Sequence, residues 1–553
     1  MKRLTSIDFL RGIAIFFTLV FHFLFTNWDA FANTDINVIL NKGGVPLLII
    51  AILIAIFIHW RGFFLMISAI VNFYAMERAL KKGKNVWVIW TKQIIAGIVL
   101  ILVGKLWITF FPYWGVLESW SRSTTITLVE SWTSHKGMFF MIEAIESIGL
   151  MMIVTSFLFL IFATKKLKDN WMFKAILGFG IGIVVIIISP CVSQAIVKAY
   201  ALDITTGENF SKFTTPGYWW IIGTTQSQPL ISTTIQAWSK VWRVPLNWLV
   251  GREAPLFPMM GSYFIGAGMG TILTQDEPKK KQYQWLYLVG GILTVLGLID
   301  WIVFYGMDLN LGFHVHPRWF ALFAAGLQII VITAMVLKIE FNRMVRVDKW
   351  EKGTRWVRRF GVFALTAYFF SIGDMVIRFI FQAIFPNQDF IKRYSLTFGW
   401  TILLLTLLML SWHALLYVWD RYGKGYGSWE FFISLIRRPK GGQKRNWRDP
   451  INLRGILWDV ETIMYVTPYT DDEYKQISNI KDKKKDLRII KAPWVYFKVN
   501  FKGKYYPMEL FFNVIIITIR SVLLSIVLII QRIKHREQYR TINLELKKLI
   551  TTF

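Results

Sequence analysis

Long apolar runs alternate with short polar stretches along the whole chain, and each run is about the length of a membrane-crossing helix. The first covers Phe9–Phe25. Val45–Met76 follows, interrupted by His59-Trp60-Arg61-Gly62. Further runs lie at Ile94–Phe111, Phe139–Ala163, Phe173–Ser189, Leu256–Leu273, Trp285–Tyr305, Trp319–Leu337, Phe360–Phe385 and Leu396–Trp419, and a last one at Leu510–Gln531. A helix of roughly 20 apolar residues crosses a hydrocarbon core ~30 Å thick. Open sheets cannot, because lipid leaves their edges unsatisfied. The pattern therefore predicts an all-α, polytopic transmembrane bundle of about 10–11 helices.

The polar stretches set an orientation. If Lys2 and Arg3 are inside and Val45–Met76 crosses once, the inside loops carry Arg78, Lys81, Lys82 and Lys84, then Lys165, Lys166 and Lys168, then Lys279, Lys280 and Lys281. The next carries Lys338, Arg343, Arg346, Lys349, Lys352, Arg355, Arg358 and Arg359. The outside loops are poorer: Lys42 in the first, Arg122 and Lys136 in the second, and a lightly basic Pro190–Ala254. This is the positive-inside pattern, with the N-terminus cytoplasmic in a cell membrane. Two crossings within Val45–Met76 would invert every later loop, so the expectation is one crossing plus a piece that lies near the outer surface or re-enters.

Three units follow: a transmembrane domain over 1–420, a basic cytoplasmic segment over 421–509, and 510–553, an apolar stretch with a basic tail. Arg520 near the middle of Leu510–Gln531 argues for an interfacial or re-entrant helix there.

Composition sharpens this reading. The chain is 55% hydrophobic and 18% charged with net charge +29, and its mean hydropathy is +0.45. With the charge lying between spans, anionic lipid is the expected partner, and nucleic acid is not. One cysteine, Cys191, excludes an internal disulfide and a cysteine metal site. Nothing resembles a cleaved signal peptide, since Met1–Asp8 leads straight into the first run. Self-association into a homo-oligomer is left open.

Ionisable residues inside spans are costly, so each is a candidate for function or for helix locking. Asp8 and Arg11 share a face at the inner end of the first run: either a clamp or an arginine offered to an anion from the cytoplasm. His22 lies eleven residues on, about 16 Å further out. His59 and Arg61 sit at the interruption, where freed backbone groups commonly line a site. Glu143 and Glu146 share a face at the start of their run, as an acid–base pair or a cap. Asp300 lies deep in its run, and Asp374 and Arg378 have the spacing of a structural ion pair. His413, near the inner end of Leu396–Trp419, receives no role. His314 and His316 lack an evident third ligand, so no metal is expected. Walker, dinucleotide, H-E-x-x-H and G-x-S-x-G motifs are missing.

Five stretches carry a resemblance. Arg3-Leu4-Thr5-Ser6-Ile7-Asp8-Phe9-Leu10-Arg11-Gly12 resembles the opening of heparan-alpha-glucosaminide N-acetyltransferase-like proteins and, more broadly, of the transmembrane acyltransferase superfamily. Trp60–Ala69, Pro255–Gly266 and Arg359–Tyr368 resemble later helices of that superfamily in the same order. Tyr426–Phe431 resembles the Gly-Pro-Leu-Glu-Trp ending of an uncharacterised bacterial membrane branch.

The resemblance covers about residues 3–435. It implies a helical bundle that moves an acyl group, usually from acetyl-CoA as co-substrate, to a sugar or lipid-linked saccharide acceptor at the outer face. Arg11, beside Asp8, would hold the donor. His59 or His22 would act as base or acyl relay, and Arg61 would steady the oxyanion. The histidine of the sugar N-acetyltransferases, in the outer loop after the first helix, has no counterpart: that loop reads Asn27-Trp28-Asp29. The Trp- and Gln-rich Pro190–Ala254 would cover the acceptor or form an aromatic belt. Two other classes compete. A transporter or flippase would use Asp300, Asp374 and Glu143 as a polar path, and a non-catalytic scaffold would act through the basic segment.

Overall fold

The computed structural model describes residues 4–29, 61–110, 127–135, 142–200, 248–249, 256–275, 279–305, 318–341, 347–369, 373–392 and 394–436, with isolated positions at 116–117, 120 and between 451 and 457. His59, His314, His316, the greater part of Pro190–Ala254 and the Leu510–Gln531 run lie outside the described residues.

Fourteen helices and no strand are present among the described residues. They are α1 (Thr5–Asn27), α2 (Arg61–Lys81), α3 (Val86–Phe110), α4 (Leu128–His135), α5 (Ala144–Phe162), α6 (Trp171–Tyr200) and α7 (Leu256–Leu273). Then come α8 (Lys280–Tyr305), α9 (Arg318–Ile339), α10 (Val347–Val362), α11 (Ala364–Phe369), α12 (Gly373–Ile384), α13 (Phe398–Arg421) and α14 (Trp429–Ile436). Nine of these are long and apolar enough to cross a membrane.

The run expected as one span over Phe360–Phe385 is instead broken into the last residues of α10, a largely polar helix, and the short helices α11 and α12. Together they make a tenth traverse. α6 also runs beyond the expected Ser189, carrying Pro190 inside it and ending at Tyr200.

Close glycine contacts fix how the helices run. Gly97 meets Gly149 and Gly104 meets Glu146, so α3 and α5 are antiparallel. Gly178 meets Gly268 while Gly182 meets Gly261, and Gly290 meets Gly326 while Gly297 meets Trp319, so α6–α7 and α8–α9 are antiparallel too. Gly62 beside Ser262, Gly266 beside Met66 and Gly270 beside Ile70 set α2 and α7 parallel. Small residues let backbones approach where no hydrophobic effect drives association.

Hydrogen bonds place the rest. The Ser6 amide at the start of α1 donates to Glu340, just past the end of α9. Leu396, before α13, donates its amide to the Asn27 carbonyl at the end of α1.

Following these directions along the chain puts the connections after α2, α5, α7 and α9, the start of α1 and the end of α13 at one end of the bundle. These are the basic connections of the sequence. α2 runs opposite to α1, as a single crossing by Val45–Met76 requires.

Candidate functional site

α1 lies at the centre of the later half of the bundle, touching α2, α9, α10, α11 and α13. Apolar residues line it on several faces. Leu4, Ile7, Leu10 and Ala14 join one core cluster, and Ile15, Leu19 and Phe23 another. Its polar side chains are therefore placed among packed neighbours and not on an open face.

Asp8 and Arg11 come together as predicted, with Arg11 Nη2 3.8 Å from Asp8 Oδ1. Asp8 is buried, while the Arg11 side chain keeps 30% of its exposure. An arginine in this setting is oriented by its carboxylate and still reachable by an anion. The same turn meets α10, for Gly361 packs on the Asp8 carbonyl and the Gly12 amide. Phe9 meets the ring of Trp350, and Phe16 those of Trp356 and Phe360.

His22 is half-buried further along the same helix. Its ring lies 6.2 Å from that of Tyr368 at the end of α11, and Tyr368 lies 4.5 Å from Trp107 of α3. Trp107 Nε1 donates to the Tyr368 carbonyl. That carbonyl is near the end of α11, where the indole of another helix donates to its backbone. The other end of α11 is completed by Glu430 of α14. Its carboxylate accepts from the amides of Leu365 and Thr366 and from Thr366 Oγ1, while the Trp429 amide donates to Thr366 Oγ1.

Arg61 opens α2. A methyl group at the next residue, Gly62, would come within 3.1 Å of Ser262 Oγ and 3.3 Å of Gln328 Nε2. Gln328 is halfway along α9, so α2 begins at about half of that helix's depth. A small apolar groove adjoins this start, walled by Phe63, Phe320, Phe323 and Leu327 with Gln328.

The remaining candidates serve as locks. Glu143 and Glu146 form a reciprocal capping box at the start of α5, and Glu146 also pairs with Lys105 at 3.8 Å. Arg318 grips Asp300 with two nitrogens where α8 ends and α9 begins. Asp300 is therefore close to the end of its helix. Arg378 holds Asp374 at 3.5 Å and donates to Asn27 Oδ1 at 2.5 Å. His413 faces Trp356.

Sequence reasoning missed Lys105, the fully buried Glu77–Lys174 pair with its contacts of 2.8 and 2.9 Å, and Glu340. Lys105 and Lys174 stand out on inspection as charges within or beside apolar windows. Glu77 and Glu340 are hidden by the basic connections that follow them.

Neither a family model nor a curated protein matches the chain.

Proposed function

We propose that this chain is a membrane acyltransferase, with its basic end in the cytoplasm, that moves an acyl group from a CoA thioester to a sugar or lipid-linked saccharide at the opposite face. One observation carries this reading. The five stretches that resemble the acyltransferase superfamily, far apart in sequence, pack on one another. Asp8 and Gly12 meet Gly361, Gly62–Ala69 runs in register with Ser262–Gly270, and Thr366 is held by Trp429 and Glu430. A shared spatial core is what a shared scaffold predicts, though fold by itself does not fix chemistry.

In this reading Arg11 binds the phosphates or the carbonyl-rich arm of acyl-CoA at the inner end of α1. The acceptor hydroxyl or amine attacks the thioester carbonyl near His22, with His59 as the other candidate base. The imidazole takes the acceptor's proton as the new O–acyl or N–acyl bond forms. The C–S bond then breaks, and the proton returns to the thiolate, leaving free CoA. The start of α2, with Arg61, steadies the charge that develops on the carbonyl oxygen. The groove beside Phe63 accommodates the chain of the acyl group.

Binding of labelled acetyl-CoA and of a longer acyl-CoA to purified protein tests the reading, followed by transfer to saccharide acceptors. Saturable binding is expected, weakened at least tenfold by Arg11→Ala and retained by His22→Ala, with transfer lost in the latter. Folded protein that binds neither thioester overturns the reading.

A further inference from the structure

Glu340 is a fully buried carboxylate beside the start of α1. Its Oε1 accepts from the Ser6 amide at 3.0 Å and from Ser6 Oγ at 2.8 Å, which ties the first turn of α1 to the end of α9. Its Oε2 is buried without a hydrogen-bond partner among the described residues, and so are the hydroxyls of Tyr283 and Thr5. Thr5 neighbours Ser6 in the chain, and Tyr283 stacks on Phe341, the residue after Glu340. No basic side chain forms an ion pair with Glu340 among the described residues.

Among the described residues, the titratable and charged groups around it do not supply a counter-charge. α1 presents Asp8, which repels a second negative charge and is itself paired with Arg11. α8 presents Tyr283, with Tyr287 behind it. α9 carries Lys338 two residues earlier. α10 contributes the uncharged ring of Trp350 against Phe9. A buried carboxylate with no cation beside it is costly as an anion and comfortable as an acid.

We propose that Glu340 is a proton-binding site at the start of α1, and that the exchange of this one proton tightens or loosens the clasp between Ser6 and the end of α9. The neutral acid keeps Oε1 as the acceptor for Ser6 and turns its own O–H on Oε2 towards the orphaned hydroxyls. Loss of the proton puts an uncompensated charge beside Asp8, and the clasp opens to water. Burial supports this assignment, pushing the carboxyl up to about 8 despite the two bonds from Ser6. The proton is therefore exchanged near neutral pH. Because the clasp lies close to Arg11 along α1, the mouth of α1 responds to the pH of the compartment it faces. This inference does not depend on acyl transfer.

Infrared difference spectra of the full chain in lipid nanodiscs, wild type minus Glu340→Gln, read the proton directly. A protonated-carboxyl band is expected in the difference at about pH 6, fading between about pH 7 and 9. Hydrogen exchange of the segment 4–12, corrected for intrinsic rates, is expected to quicken several-fold over the same range in wild type and to stay level in Glu340→Gln. Tyr283→Phe is a second variant that keeps the carboxyl. Losing a hydroxyl that accepts from the neutral acid should move the midpoint downward, because a bond to the protonated form favours that form. Spectra that coincide for wild type and Glu340→Gln across the range overturn the proposal. So does exchange in the segment that ignores pH while the band titrates.

Discussion

Two regions of the bundle solve the same problem differently. From α2 to α9 the spanning helices pack as pairs, with glycine carrying the close approaches, and the buried charges that join helices meet opposite charges: Lys174 with Glu77, Lys105 with Glu146, Arg318 with Asp300. Around α1 and the broken traverse α10–α12, ion pairs such as Arg359 with Asp420 are joined by long-range bonds from side chains to the backbone of other helices. Glu430 accepts from two amides of α11, Trp107 donates to the Tyr368 carbonyl, and Glu340 accepts from the Ser6 amide. Arg358 and Arg355 donate to the carbonyls of Glu351 and Leu457. An unbroken helix satisfies its own backbone, whereas one interrupted at membrane depth must borrow partners. The side chains that bind backbone in this second region cannot be exchanged for apolar ones in matched pairs, and the region is also where Arg11 and His22 lie.

The largest expected effect lies in the first region. Lys174→Met leaves the Glu77 carboxylate buried without its cation, which should cost about 3–5 kcal/mol of stability. Adding Glu77→Leu should recover most of it, because a buried ion pair replaced as a pair by apolar residues is often neutral. Chemical denaturation of both variants in the same lipid checks this. A double variant as unstable as the single one would break the contrast, for it would place the pair's role in something other than mutual neutralisation.

The second region should not be rescued that way. Glu430→Leu strips the acceptor from the Leu365 and Thr366 amides, and an unsatisfied buried donor costs about 1–3 kcal/mol. Thr366→Val in the same chain leaves both amides and also strips the acceptor from the Trp429 amide, so the double variant should be no more stable than Glu430→Leu. Glu430→Gln keeps an acceptor oxygen and should retain much of the stability. Full recovery in the double variant would show that the backbone bonds contribute little.

The first region is readable from sequence and the second only in part. Apolar length predicts the crossings, and the spacing of Lys and Arg groups the basic connections that the helix directions bring to one end. Asp8 with Arg11, and Asp374 with Arg378, are legible because three- and four-residue spacing puts partners on one helical face. The interruption before Gly62 is legible as polar residues inside an apolar run, and α2 begins there. The split of Phe360–Phe385 is not. Its residues are as apolar as those of an intact helix, and the partners that make the break tolerable, Trp107 and Glu430, lie 261 and 64 residues away from the groups they satisfy. Glu340 with Ser6 is hidden for the same reason, at a separation of 334 residues. Local pattern cannot report a bond whose partner is set by tertiary packing.

The smallest expected effect sharpens the contrast most finely. Trp107→Phe keeps an aromatic ring against Tyr368 but removes the Nε1–H that the Tyr368 carbonyl accepts. Leaving one carbonyl without that donor should cost about 1 kcal/mol, little beside the Lys174 variant. The position of the loss matters more than its size. In the proposed mechanism Tyr368 packs against His22, so loosening the end of α11 should lower transfer while leaving thioester binding at Arg11 unchanged. Val103, four residues earlier on α3 and buried in the same core cluster, provides the control: Val103→Ala should lower stability by a similar amount without a selective effect on transfer. If both variants reduce binding and transfer alike, the indole bond is one packing contact among many, and the broken traverse needs no special account. If Trp107→Phe alone separates transfer from binding, the borrowed backbone bond is what holds the far end of α1 in its working geometry.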